Sequence, residues 1–230
     1  MLGEKWQWQL LVMIMCIYLP VAVYCSSFID HKQALIKQLY HCGAIRVENT
    51  HIKNGQLSPI YFDMRAIISY PVLLHYLAET MQSMIAELNF DVVCGVPYGA
   101  IPLATAIALR GNYPMIMQRK QVKSYGTQKS IEGVFNLDAL CLIVEDVITT
   151  GSSILETINV LEEGGLKVQD VIVIIDREQG GVTRVQKQGY TVHAVWTVSE
   201  IICVLRDAEL ITHEHYAVIK QFCTEQAANN

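Results

Sequence analysis

The stretch CLIVEDVITTGSS, Cys141 to Ser153, holds the residue types best suited to chemistry. An apolar run ends in the acidic pair Glu145-Asp146, two apolar residues follow, and Thr149-Thr150-Gly151-Ser152-Ser153 then opens a helical pattern. Hydroxyls and one glycine at a helix amino terminus offer a phosphate backbone N–H groups, side-chain donors and the positive end of the dipole. Two carboxylates beside such a cradle suit the hydroxyls of a sugar and the hard divalent cation that accompanies a pyrophosphate. A strand over Leu140 to Val144 in a parallel sheet puts both carboxylates beyond its carboxyl end, where such sheets bind ligands. A solvated turn with an ordinary helix cap would account for a lone Thr-Gly-Ser, but the whole run favours a ribose carrying phosphate. No Gly-Lys-Ser/Thr and no G-x-G-x-x-G occurs, which sets aside the Walker and dinucleotide-binding loops.

The elements that must position this segment follow from periodicity. Phe28 to Cys42 carries apolar residues at helical spacing, with Asp30 as a cap candidate and Gly43 as the stop. An extended segment from Ala44 to Lys53, a turn at Asn54-Gly55 and a strand over Ile60-Tyr61-Phe62 come next, then a helix over Pro71 to Leu88. Strand, loop and helix alternate from there: strands at Val92 to Val96, Met115 to Gln118, Leu140 to Val144, Val171 to Ile175 and Thr191 to Trp196. Helices are predicted at Ala100 to Leu109, Ser152 to Glu163 and after Gly180-Gly181, with two short ones at the end. Residues 119 to 130, RKQVKSYGTQKS, are too polar to be core. The alternation predicts an α/β fold, a mainly parallel sheet covered by helices on both faces.

The chain of 230 residues suits one sizeable α/β domain, and 52% hydrophobic with 17% charged residues excludes a disordered chain. A net charge of −5 without a basic run gives no support to a nucleic-acid partner. Seven widely spaced cysteines without a C-x-x-C pair argue against zinc and against a disulfide framework, and fit a reducing compartment. Leu10 to Tyr24 departs from that picture: an apolar run behind Glu4 and Lys5, resembling a secretory signal or a short anchor. A cleaved signal, a signal anchor and a non-native leader are three open readings. Residues 1–25 are set outside the fold, leaving 26–230 as the domain; the protein is expected to be cytoplasmic, with a membrane or secretory-pathway location if the leader is retained.

Ile143 to Ser153 resembles the signature by which type I phosphoribosyltransferases bind 5-phosphoribosyl-1-pyrophosphate (PRPP). From roughly Phe28 to Phe222 the chain is similar to the orotate phosphoribosyltransferases, including the amino-terminal half of animal UMP synthase. The first supporting motif is His51-Ile52-Lys53-Asn54-Gly55 with Ser58-Pro59-Ile60-Tyr61-Phe62-Asp63-Met64-Arg65. The resemblance puts Lys53 near both substrates, with Asn54 in place of the usual serine, and Tyr61 and Phe62 against the orotate ring. Taken alone, those two aromatics suit a core. The second, Cys94 to Ala104, resembles the loop under the pyrophosphate and includes Tyr98; Gly99 stands where bacterial relatives commonly carry a lysine, removing one phosphate contact from the expectation. The third, Arg119-Lys120-Gln121-Val122-Lys123-Ser124-Tyr125-Gly126-Thr127, resembles the mobile catalytic loop. Arg119, Lys120, Lys123 and Tyr125 are thereby expected to meet PRPP, with Lys123 decisive because cations closing on a departing pyrophosphate favour the transition state. Tyr125 replaces a histidine of many bacterial members and carries no proton-donor expectation. The fourth, Ile175-Asp176-Arg177-Glu178-Gln179-Gly180-Gly181, resembles the segment whose arginine holds the orotate carboxylate, a planar fork that lysine cannot copy.

The resemblance implies a type I phosphoribosyltransferase fold with a small amino-terminal hood, and transfer of the ribose 5-phosphate of PRPP to orotate with release of pyrophosphate. It assigns PRPP to Tyr98, Arg119, Lys120, Lys123, Tyr125, Glu145, Asp146, Thr149, Thr150, Gly151, Ser152 and Ser153, orotate to Lys53, Tyr61, Phe62, Thr149 and Arg177, and catalysis to Lys123 and Asp146. Mg²⁺ is expected as cofactor, held mainly through PRPP with no site built from protein ligands alone. A homodimer sharing the catalytic loop is implied too. A PRPP-binding regulator without turnover, and a transferase for another base, are the competing classes; the first could dispense with Lys123 and Arg177, and Arg177 with Tyr61 and Phe62 argues against the second.

Overall fold

The sheet at the centre of the molecule is built from the strands whose apolar runs announced them. The computed structural model describes residues 21–51, 57–120 and 130–228, and the chain divides into two compact units, residues 1–34 and 35–230. In the first unit the described residues are helical and belong to α1 (Val21–His41). Asp30 therefore lies inside a helix and is not its cap: the helical pattern continues upstream through Val21 to Tyr24, and nothing at Asp30 stops it. The helix also passes through residues 25 and 26 without a break. Gly43, at φ +78°, ends it as predicted, in the left-handed conformation that glycine adopts without a steric penalty.

The second unit opens with four two-residue strands, β1 (Ile45–Arg46), β2 (Thr50–His51), β3 (Leu57–Ser58) and β4 (Tyr61–Phe62). They form two antiparallel pairs, β1 with β4 and β2 with β3. A 3-10 helix (Met64–Ser69) leads to α2 (Pro71–Ile85), whose proline occupies the first turn, where its missing N–H leaves no hydrogen bond unmade. Then follow β5 (Val92–Gly95), α3 (Ile101–Gly111), β6 (Met115–Gln118), β7 (Ile131–Glu132), β8 (Leu140–Ile148), α4 (Ser152–Glu163), β9 (Lys167–Asp176), α5 (Gly181–Gln186), β10 (Thr191–Thr197), α6 (Val198–Asp207) and α7 (His213–Ala228).

The main sheet has the order β10-β9-β8-β5-β6-β7, parallel except for β7, which runs against β6. Strand residues alternate between two cores. Val93, Leu142, Val144 and Ile172 join α2, α3 and α6 on one face, while Val92, Cys94, Cys141, Ile143 and Val171 join α4 and α5 on the other. Each fully buried side chain of this kind contributes about 1.5–3 kcal/mol by leaving water. From β5 the chain moves outward through β6, and from β8 it moves outward the opposite way through β9 and β10. The neighbours β5 and β8 thus flank the topological switch point, the place where open α/β sheets bind ligands.

β8 differs from the prediction. It does not stop at Val144 but continues through Glu145 and Asp146 to Ile148, because β9 keeps pairing with it as far as Ile148 opposite Asp176. Only the β5 side stops, with Gly95 opposite Val144. The carboxylates are therefore in a strand rather than beyond it, on the stretch whose β5 edge is open. Among the described residues no helix is long and apolar enough to cross a membrane.

Candidate active site

The end of β5 and the open edge of β8 create the site's first wall. Val96 N–H donates to Val144 O at 2.9 Å, and the chain then turns through Pro97 to Ala100 into α3. Gly99 lies so close to β8 that a Cβ there would overlap the Asp146 carboxylate. A side chain at this position would have to displace the Asp146 carboxylate. Asp146 Oδ1 accepts from the Val147 N–H at 2.8 Å, which fixes the carboxylate and leaves its other oxygen toward the loop. Glu145 is 6% exposed and accepts from the Asp146 N–H at 3.0 Å. Burial, then the neighbouring Asp146 charge, pushes the Glu145 carboxyl well above the usual carboxylate range.

Beyond β8 the chain turns through Thr149 to Gly151 into α4, the segment expected to act as a phosphate cradle. Gly151, at φ +73°, caps α4 without a side-chain hydrogen bond, so among the described residues its first-turn N–H groups are left open to a ligand. The Thr150 and Ser152 hydroxyls stand 3.1 Å apart. Thr149 is held from behind by α5: a Cβ on Gly181 would come within 2.5 Å of the Thr149 carbonyl oxygen.

Arg177 follows β9 directly, and its backbone N–H donates to Ile148 O at 3.0 Å, beside the first cradle residue. Its side chain is 8% exposed, stands 5.7 Å from the Phe62 ring centroid, and donates through Nη2 to Ser58 Oγ at 3.1 Å. Ser58 in turn donates to Ile60 O at 2.7 Å. Among the described residues no carboxylate lies within ion-pair distance of this buried cation. Burial lowers its pKa from the ordinary value, yet a guanidinium stays charged at any working pH. A buried, permanently charged fork without a counterion suits a ligand carboxylate.

The cationic loop is described only at its base. Arg119 N–H donates to Ser130 O at 2.8 Å, and Arg119 Nε pairs with Glu132 at 2.7 Å, so that side chain is tied to β7 rather than to the cradle. Lys120 Nζ stands 5.4 Å from the centroid of the Tyr98 ring, itself 66% exposed, and its charge acts favourably on Glu145. Lys53, Lys123 and Tyr125 lie outside the described residues. Arg46 stands over the Tyr61 ring at 4.9 Å.

The structure thus gathers Glu145, Asp146, the Thr149 to Ser153 cradle and Arg177 around the ends of β8 and β9, with Phe62 stacked beside Arg177. It adds Ser58, Gly99 and Arg184, whose Nη1 donates to Ser152 Oγ at 3.0 Å, as residues to which the sequence gave no role. Ser58 and Gly99 fall inside recognised motifs, but their partners are remote in sequence; Arg184 has no local signal. Among the described residues no group of three or more His, Cys, Asp or Glu side chains could hold a metal ion.

Residues 72–199 match the phosphoribosyl transferase domain. The chain is 44% identical over 196 residues to uridine 5'-monophosphate synthase of Bos taurus, covering 84% of this chain and 41% of that protein. It is 38% identical over 180 residues to orotate phosphoribosyltransferase of Caenorhabditis elegans, covering 77% of this chain and 79% of the other. Its fold matches the structure of Leishmania donovani UMP synthase with a TM-score of 0.79 at 29% identity, over 84% of this chain and 42% of that one. The chain spans about two fifths of the length of the UMP synthases it matches.

Proposed function

Because this chain belongs to the phosphoribosyl transferase domain family, and within it to the orotate phosphoribosyltransferases, we propose that it joins orotate to the ribose 5-phosphate of PRPP, releasing pyrophosphate and supplying pyrimidine nucleotide synthesis. The observation that carries the reading is Arg177, a buried cation with no acid partner among the described residues, whose backbone N–H is bonded to Ile148 O immediately before the Thr149 to Ser153 turn. A purine offers that cation no carboxylate. Orotate offers a carboxylate for the fork and a flat ring for Phe62 and Tyr61.

In this reading the cradle from Thr149 to Ser153 holds the 5-phosphate, and Glu145 and Asp146 face the ribose hydroxyls. The bond from ribose C1 to the pyrophosphate oxygen breaks with its electron pair leaving on pyrophosphate. The bond from C1 to orotate N1 forms on the opposite face, and the N1 proton passes to solvent. The protein's part is orientation and charge: Asp146 steadies the sugar while C1 gains positive character, and Lys120 and Lys123 balance the charge gathering on pyrophosphate. The free oxygen of Asp146 is a hard donor of the kind Mg²⁺ accepts, so Asp146 with the ribose hydroxyls and PRPP oxygens would hold the ion. Bound there, Mg²⁺ neutralises phosphate charge.

The polar segment lies in sequence between the antiparallel partners β6 and β7, and its sharing across two subunits is part of the proposal. A cytoplasmic homodimer built from residues 26–230 completes the proposal. The deciding experiment incubates the full chain with orotate, PRPP and Mg²⁺ and follows loss of orotate absorbance. Consumption of orotate with equimolar pyrophosphate supports the assignment; binding without release favours a regulator, and turnover of a purine instead of orotate removes the base assignment.

A further inference from the structure

Arg184 reaches the phosphate cradle from a different element. It lies in the last turn of the short helix α5, yet its Nη1 donates to Ser152 Oγ at 3.0 Å and approaches the Thr150 carbonyl oxygen at 3.4 Å. Two glycines make this approach possible. A Cβ on Gly151 would stand 2.8 Å from Val185 Cγ2, and one on Gly181 would stand 2.5 Å from Thr149 O, so the starts of α4 and α5 meet almost backbone to backbone. Residue 184 is thereby delivered to the cradle rim. Among the described residues Arg184 has no carboxylate within ion-pair distance. Its contacts use Nη1 alone, and a guanidinium carries five N–H donors, so Nη2 and Nε stay available. By occupying a Ser152 lone pair, Arg184 also turns the serine O–H toward Thr150 or a bound phosphate.

We propose that Arg184 is a substrate-contacting residue that adds a full positive charge to an otherwise neutral 5-phosphate cradle. The inference rests on the proposed transferase function and deepens it: the 5-phosphate is common to PRPP and the nucleotide product, whereas the departing pyrophosphate lies at the other end of the sugar. Arg184 therefore distinguishes ligands by their 5-phosphate. Because the side chain is exposed, solvent screening holds its effect below that of a buried arginine.

The test is calorimetric titration of the full chain and its Arg184→Gln and Arg184→Lys variants with orotidine 5'-monophosphate and, separately, with inorganic pyrophosphate. The Gln variant is expected to bind the nucleotide about tenfold more weakly, the scale of one charge-assisted hydrogen bond, with pyrophosphate affinity changed less than about twofold. Retained pyrophosphate binding shows that the variant is folded. The Lys variant, which keeps the charge but not the fork, recovers most of the nucleotide affinity. Equal nucleotide binding by wild type and Gln variant overturns the inference and leaves the transferase reading intact. A Lys variant as weak as Gln overturns it too, making Arg184 a holder of Ser152. Wild-type protein that binds pyrophosphate but not the nucleotide removes the transferase reading, and the inference with it.

Discussion

Arg177 and Ser58 are hydrogen-bonded at 3.1 Å across 119 positions of sequence, linking the carboxyl end of β9 to the small β2–β3 hairpin. Among the described residues the bond leaves most of the arginine fork unpaired while holding it beside Phe62. Arg177→Lys retains charge and loses the fork, so the KM for orotate should rise roughly 10- to 100-fold, the 1.5–3 kcal/mol of a charge-assisted bond. The KM for PRPP should change less than about twofold. Ser58→Ala should raise the orotate KM by a smaller factor. Steady-state kinetics with each substrate varied in turn checks the pattern, and an equal rise in both KM values would show that Arg177 supports the fold rather than orotate.

The contact of Gly99 with Asp146 predicts an energetic coupling. Gly99→Ala places a methyl group against the carboxylate, and an overpacked site of this kind costs about 1–3 kcal/mol. Asp146→Ala removes the obstacle, so the double variant should be more stable than the sum of the single changes by about 0.5–3 kcal/mol. Urea denaturation of the four proteins measures this, and strict additivity would mean that the loop moves aside instead.

Much of this arrangement was legible because strands and helices have different periods. The runs around Val92, Met115 and Leu142 and the helix from Ser152 to Glu163 stood where structure places them. The length of β8 was not legible: Glu145-Asp146 interrupts the apolar run, but the main chain keeps pairing with β9, whose partner residues lie almost thirty positions away. Asp30 looked like a cap because its residue type suits one, while the helix is decided by the apolar pattern on both sides of it. The strand at Ile131–Glu132 is only two residues long and leaves no periodic trace. Arg177 could be singled out as a candidate because its motif is local, whereas the Ser58 hydroxyl and Arg184 meet partners that only folding supplies.

Lys123 lies outside the described residues, between the tied ends of the polar loop at Arg119 and Ser130. If its ammonium closes on pyrophosphate only as the C1–O bond breaks, Lys123→Ala should lower kcat by roughly 10²- to 10³-fold, as loss of one transition-state donor does. Orotate affinity should hold within about threefold, since ground-state binding of the base does not use that charge. Rapid-quench measurement of a single turnover beside equilibrium orotate titration separates the two. A large loss of orotate affinity with unchanged chemistry would exchange the roles given to Lys123 and Arg177.

Glu145 predicts how stability depends on pH. Its folded-state pKa is raised, first by burial and then by Asp146, so the folded protein holds a proton that the unfolded chain releases in the ordinary carboxylate range near 4.5. More protons bound in the folded state means that stability falls as pH rises. This group's contribution is fully present below the unfolded pKa and is lost progressively as pH climbs from there through the folded value. Glu145→Gln fills the same space without a charge to desolvate, so it should flatten that decline and raise Tm at neutral pH by about 2–4 °C for each kcal/mol recovered. It should also weaken PRPP binding if the ligand and its cation draw the carboxyl into its ionised form, because an amide cannot then offer the ribose hydroxyls two acceptor oxygens. Thermal melts of both proteins between pH 4 and 9 decide the matter: parallel curves would show that Glu145 is ionised in the folded protein, with its charge already matched.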